Sequence, residues 1–421
     1  MRRSTPLRAP ILTLLAGAIG ALALVGLAIL WPSRDPGPDV PALSSFDGVY
    51  TATTVERSEH ACAGADGSTR CVSLTFRLLE GPDEGTTATV EQPANSSRVA
   101  EVEVGRGVLL GHQPDVEGFE YVFLDPDRRS PLLALAGVFA LAVLALGRWK
   151  GASALVGLLA TLFVLFLFVV PAILDGSDPL LVSLVGSVVI AFAALYLSHG
   201  LGVKTTIALL GTMGGLLCAA ILAVVFMDAA EITGLASEEA LFLTALGTNL
   251  DLRGLILGGM MIGALGAIDD ITVTQASAVW ELRSVDPTMS RRRLLRSGMR
   301  IGRDHVASTV NTLVLAYAGA SMPLLVLFVL SDQPTGTVAN GEIVATEIVR
   351  TLVGSLGLIA SVPITTWLAV DVVSPRGRHS STVTAVSADA GEAGPEEHRI
   401  PEHRRDLWVG RLRSWRSTRR S

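Results

Sequence analysis

The chain has 421 residues, of which 50% are hydrophobic and 17% charged, with a formal net charge of −6. That is the composition of a polytopic membrane protein, and nothing in its acidic balance suggests a nucleic-acid partner. Lys150 and Lys204 are the only lysines; every other basic side chain apart from histidine is arginine.

Arg2, Arg3 and Arg8 precede an apolar run from Ile11 to Trp31. The run is too long for a signal-peptide core, and Pro32-Ser33-Arg34-Asp35 follows it without a small-x-small site. Residues 1–32 are therefore read as a cytoplasmic N-terminus and an uncleaved anchor helix. Residues 33–130 are polar and open on a Pro-rich linker, PSRDPGPDVPAL. Short β-type runs at 49–55, 72–78, 86–90, 99–104 and 121–124 are separated by Gly, Pro, Asp and Asn. They predict a small extracytoplasmic β-barrel or β-sandwich between the first and second helices. On the outside of the membrane, Cys62 and Cys71 are a candidate disulfide closing a short loop. Asn95-Ser96-Ser97 fits a glycosylation sequon and is read as a loop.

Seven more apolar segments follow, at 131–147, 152–174, 179–198, 203–227, 254–280, 305–330 and 345–371. With the anchor they make about eight transmembrane helices, the last seven forming a membrane domain over 131–373. With the N-terminus inside, the inside connectors carry Arg148, Lys150, Lys204, Arg283, Arg291, Arg292, Arg293, Arg296, Arg300 and Arg303, and the outside connectors only Arg253. This follows the positive-inside rule and places a multi-pass chain in a bacterial plasma membrane with both termini cytoplasmic. Residues 374–421 form a tail rich in Ser, Ala, Glu and Gly, ending in DLWVGRLRSWRSTRR. That end reads either as a basic interfacial helix on anionic lipid or as a solvated basic tail.

The most informative stretch is GLILGGMMIGALGAIDDITVTQASAVWE, Gly254 to Glu281. Fifteen apolar residues reach Ile268 and span about 22 Å, short of a hydrocarbon core of about 30 Å. At least one of Asp269 and Asp270 is therefore expected at membrane depth, where a carboxylate needs a partner, a proton or water. Gly259, Gly263, Gly266, Asp270, Thr274, Ser277 and Glu281 share one helical face. The glycines permit close approach of a neighbouring helix, and the polar half suits an ion or proton path; a packing seam is the alternative. Asn311, two turns into the next segment, is a candidate partner for Asp270. Arg303 and Asp304 are second-tier candidates near the cytoplasmic end. A second stripe runs Glu347, Arg350, Gly354, Gly357, Ser361, where Glu347 and Arg350 read first as a surface ion pair and otherwise as a gate or partner for Asp251 and Arg253. A third, Thr205, Ala208, Thr212, Gly215, Ala219, is a close-packing signal. There is no nucleotide-binding loop, no Gly-x-Gly-Asp motif and no metal-ligand spacing. No catalytic residue, metal or cofactor is therefore expected, and the chain does not read as an enzyme.

Five blocks in order, Asp251-Leu252-Arg253-Gly254, GALGAIDDITVTQASAVWEL, SGMRIGRD, NTLVLAYAG and EIVRTLVGSLGL, resemble the bacterial YibE/F family of membrane proteins. The resemblance covers about 131–371. It implies a multi-spanning protein without an assigned biochemical activity. The family's motif has one aspartate after an apolar residue; Asp270 matches it, and Asp269 departs from the pattern. The expectation is a secondary transporter or permease, with Asp270, Thr274, Ser277, Glu281 and Asn311 forming a cation or proton site. The alternative is a non-transport envelope scaffold or sensor that presents the β domain outside. The expected partners are the lipid bilayer, anionic lipid at the tail and a possible second copy of the chain.

Overall fold

The computed structural model describes residues 8–33, 46–62, 70–94, 102–114, 120–246, 250–331 and 333–374. The sequon, most of the Pro-rich linker and the basic tail lie outside them.

Helix α1 (Arg8–Ile29) is followed by five strands, β1 (Gly48–Ala61), β2 (Arg70–Leu78), β3 (Thr87–Pro93), β4 (Gly107–His112) and β5 (Tyr121–Pro126). They form one antiparallel sheet in the order β3-β2-β1-β4-β5, curled so that β3 touches β5. Val72, Leu74, Phe76 and Leu78 alternate into its core, as a two-residue repeat requires, and meet Ala52, Val108, Leu110 and Phe123. Cys62 and Cys71 are joined by a disulfide beside the β1–β2 turn. Of the strand expected at 99–104 only residues 102–104 are described; they belong to no strand, Gly105 turns with φ +87°, and the ladder to β1 is made by Gly107–His112.

The helical part continues with α2 (Arg129–Gly147) and α3 (Trp149–Val164). A π-helical turn (Leu165–Val169) joins α3 to α4 (Val170–Leu174). After these come α5 (Pro179–His199), α6 (Val203–Ala229), the short α7 (Glu238–Ala245), α8 (Leu252–Val285) and α9 (Arg291–Ala320). The last elements are α10 (Met322–Leu330), α11 (Thr335–Asn340) and α12 (Glu342–Val373). Seven helices are long and apolar enough to cross a membrane, or eight if the bent pair α9–α10 is one span. The 66° bend falls at Ser321. Pro323 supplies no N–H there, and its ring clashes with the carbonyl one turn earlier.

Helix α8 is the hub, packed by α5, α6, α9 and α12. Its start is fixed by Asp251, whose carboxylate accepts the Gly254 N–H at 2.9 Å. It runs for 34 residues, about 51 Å. The aspartates therefore lie in its middle rather than where a span ends. Helix α6 meets α12 at Gly215 and Gly357, where a Cβ at either glycine would sit 2.9 Å from the other's carbonyl oxygen. Only glycine permits that backbone approach. The stripe Thr205, Ala208, Thr212, Gly215, Ala219 is buried along its whole length.

Candidate functional site

Asp269 and Asp270, about 100° apart on α8, face different surroundings. Asp269 is half-buried and faces Thr212 Oγ1 on α6 at 3.5 Å. Thr212 also shares a 2.7 Å hydrogen bond with Thr272, one turn further along α8. Another turn on, the buried Gln275 donates from Nε2 to the Gly298 carbonyl of α9 at 2.8 Å and to Thr366 Oγ1 of α12 at 2.6 Å. Its Oε1 is buried without a partner. Ser361 and Thr365 of α12 complete this hydroxyl seam, both fully buried.

Most of these hydroxyls donate within their own helix. Ser361 donates to the Leu358 carbonyl, Thr365 to Ser361 and Thr366 to Val362, whereas one of Thr212 and Thr272 gives its proton to the other and so not to its own backbone acceptor, Ala208 or Asp269. Thr366 Oγ1 also accepts from Gln275 of α8. Asp269 takes part in no ion pair among the described residues; the charge that acts on it is Asp270. A carboxylate at such depth needs a partner, a proton or water.

The stripe predicted for that task is a different face. Gly259, Gly263, Gly266, Asp270, Thr274 and Glu281 are exposed, and Ser277 is half-buried. The glycines there are not the close-approach sites expected. A Cβ at Gly259 or Gly266 would meet nothing within 4 Å, and one at Gly263 would meet only the Tyr317 hydroxyl. The close contacts of α8 fall on Gly254 and Gly258, which back onto Pro179 and Ser183 of α5. The Thr274 hydroxyl donates to the Asp270 carbonyl, and His199, the last residue of α5, interacts electrostatically with Asp270.

Asn311 is exposed on α9 and makes no hydrogen bond with Asp270. Arg303 and Asp304 are exposed too, and sit three turns into α9 because that helix begins at Arg291. Glu347 and Arg350 pair with each other at 2.7 Å. They do not join Asp251, which caps α8, or Arg253, which pairs with Asp228.

Thr272, Gln275, Thr365 and Thr366 were not singled out by the sequence pattern. A usable signal existed, since Asp269, Thr272 and Gln275 follow at successive three-residue steps and mark a second polar face of α8.

Fold and site together define a polytopic helical protein with polar groups inside its bundle. The model of the YibE/F-like protein family matches residues 135–375, more than half of the chain, and the chain belongs to that family. No curated protein and no solved structure matches it.

Proposed function

We propose that this YibE/F-type protein is a proton- or cation-coupled permease, not an enzyme, with Asp269 as its coupling carboxylate. The reading is supported above all by one placement: Asp269 faces Thr212 between α6 and α8, without a fixed positive charge. Such a carboxylate exchanges a proton or a small cation at least cost, and the neighbouring oxygens supply further ligands. Asp270, Thr274, Ser277 and Glu281 form the adjoining open face toward the Arg283 end. In this reading the chain sits in the bacterial plasma membrane, the arginine-rich segment 281–304 and both termini are cytoplasmic, and the β domain is an extracytoplasmic accessory. Flux in proteoliposomes tests the proposal: Asp269→Asn abolishes ion-coupled flux while the protein still folds and inserts.

One observation favours a rival, the envelope scaffold or sensor. The buried hydroxyls of α12 are satisfied within their own helix, as a packing seam requires. Deleting the β domain separates the two readings. A phenotype lost with that domain yet kept in Asp269→Asn belongs to the scaffold.

A further inference from the structure

Helix α8 is covered on four sides, by α5, α6, α9 and α12, and bare on one. The bare side carries Asp270 and Glu281. The neighbouring side of α9 is bare as well, and it is polar: Arg296, Arg300, Arg303, Asp304, Ser308 and Asn311 are all exposed. Leu294, Gly298 and Gly302 are the α9 residues turned inward and buried. Neither Asp270 and Glu281 nor the three arginines form an ion pair within the chain among the described residues.

The two faces match in depth. A Cβ at Gly298 would meet Val279, and one at Gly302 would meet Gln275, which fixes the antiparallel register of α9 on α8. At 1.5 Å per residue this register puts Arg296 level with Glu281, and Asp270 between the levels of Arg303 and Asn311. A carboxylate whose charged neighbour within the chain is only the His199 ring, and a bare Asn, do not face lipid at such depth without a further partner. The groups they need lie at the right height on the adjoining face, but around the corner of the same molecule.

We infer that this joint face is the interface with a second copy of the chain, each copy's α8 carboxylates meeting the other's α9 arginines and Asn311. Two copies inserted with the same topology are related by a two-fold axis along the membrane normal, so every residue keeps its depth. Acid on one helix and base on its neighbour at equal height is then a self-complementary patch, as an isologous dimer requires. The bare Gly259 and Gly266 let the partner's α9 approach closely along the other half of the face. The interface does not rest on Asp269 as coupling carboxylate, since that side chain faces Thr212 of α6.

The test uses two differently tagged full-length chains, co-expressed with Cys218→Ala in both. One carries Gly266→Cys and the other Thr312→Cys, exposed residues at nearly the same depth, so neither can crosslink within itself. Mild oxidation of native membranes is expected to trap a heterodimer. A control pair using Leu146→Cys, which is 92% exposed on the remote α2, traps none. Asp270→Arg or Arg303→Asp alone lowers the trapped fraction by roughly tenfold, and the two together in each chain restore it. The uncharged cysteine pair keeps the test decisive if a charge variant fails to fold. Crosslinking no higher than the control, a monomer by photobleaching in the same membranes, or a folded double swap without recovery overturns the inference.

Discussion

Asp269 and Asp270 are neighbours in the chain that look in different directions: Asp269 faces Thr212 at 3.5 Å inside the bundle, and Asp270 lies on the uncovered face of α8. Under the two proposals the carboxylates carry separable roles. Asp269→Asn is expected to remove coupled flux with little effect on self-association. Asp270→Asn is expected to weaken self-association. Measuring flux and crosslinking on the same two variants checks this, and an identical pattern in both contradicts it.

The α6–α12 contact should not tolerate an added side chain. A Cβ on Gly357 would lie 2.8 Å from Ala219 Cβ and 2.9 Å from the Gly215 carbonyl oxygen. Gly357→Val is expected to destabilise the protein by about 1–3 kcal/mol. Gly266→Ala, with nothing within 4 Å of the new methyl, leaves the stability of the single chain unchanged. Thermal unfolding in detergent compares the two, and equal melting temperatures would refute the packing described.

Gln275 ties three helices together through Gly298 and Thr366. Gln275→Leu leaves Thr366 and the Gly298 carbonyl without that amide, at a cost of about 1–3 kcal/mol. The variant's melting temperature should fall, and Thr366→Val on top of it should cost less than it does in the wild type. Full additivity of the two substitutions would show that they do not interact.

A pH effect is expected where α1 meets the turn after α4. Asp175 accepts the Ser33 N–H at 2.6 Å and the Ser33 hydroxyl at 2.8 Å. The backbone hydrogen bond first, and the hydroxyl second, hold its carboxyl below the usual carboxylate range. A value depressed in the folded state stabilises fully above the unfolded value of about 3.9, and the gain is lost as pH falls through the lower folded value. The melting-temperature gap between wild type and Asp175→Asn should thus be full near neutrality and close below about pH 3.9. A gap that stays constant through that window would show that the clasp does not depend on the charge.

The positions of the helices could be read directly, because the apolar runs between charged connectors became helices, with 305–330 broken at Ser321. The span read at 254–280 lies inside α8, which extends from Leu252 to Val285 because Ile271, Thr272, Gln275, Ala276 and Val279 continue buried against neighbours. Val102 and Val104 carry the same two-residue pattern that Gly107–His112 uses in the sheet, so the pattern by itself did not exclude 102–104 from a strand. The glycine–aspartate stripe was found as a face, but a helical repeat says which residues share a side and not what that side meets. Glycines on both sides of α8 made the covered and bare faces look alike. Family resemblance pointed to Asp270, whereas the hydroxyl seam belongs to Asp269.

Under the proposed function, Asp269 couples ion movement through this bundle. The most direct measurement is proton flux in proteoliposomes holding the full-length protein, with a trapped pH-sensitive dye and imposed Na+ or K+ gradients. Wild type is expected to move protons well above empty liposomes, and Asp269→Asn to fall to the empty-liposome level while Asp270→Asn retains flux. Wild-type flux no greater than that of empty liposomes under either gradient, or undiminished flux in Asp269→Asn, would contradict it.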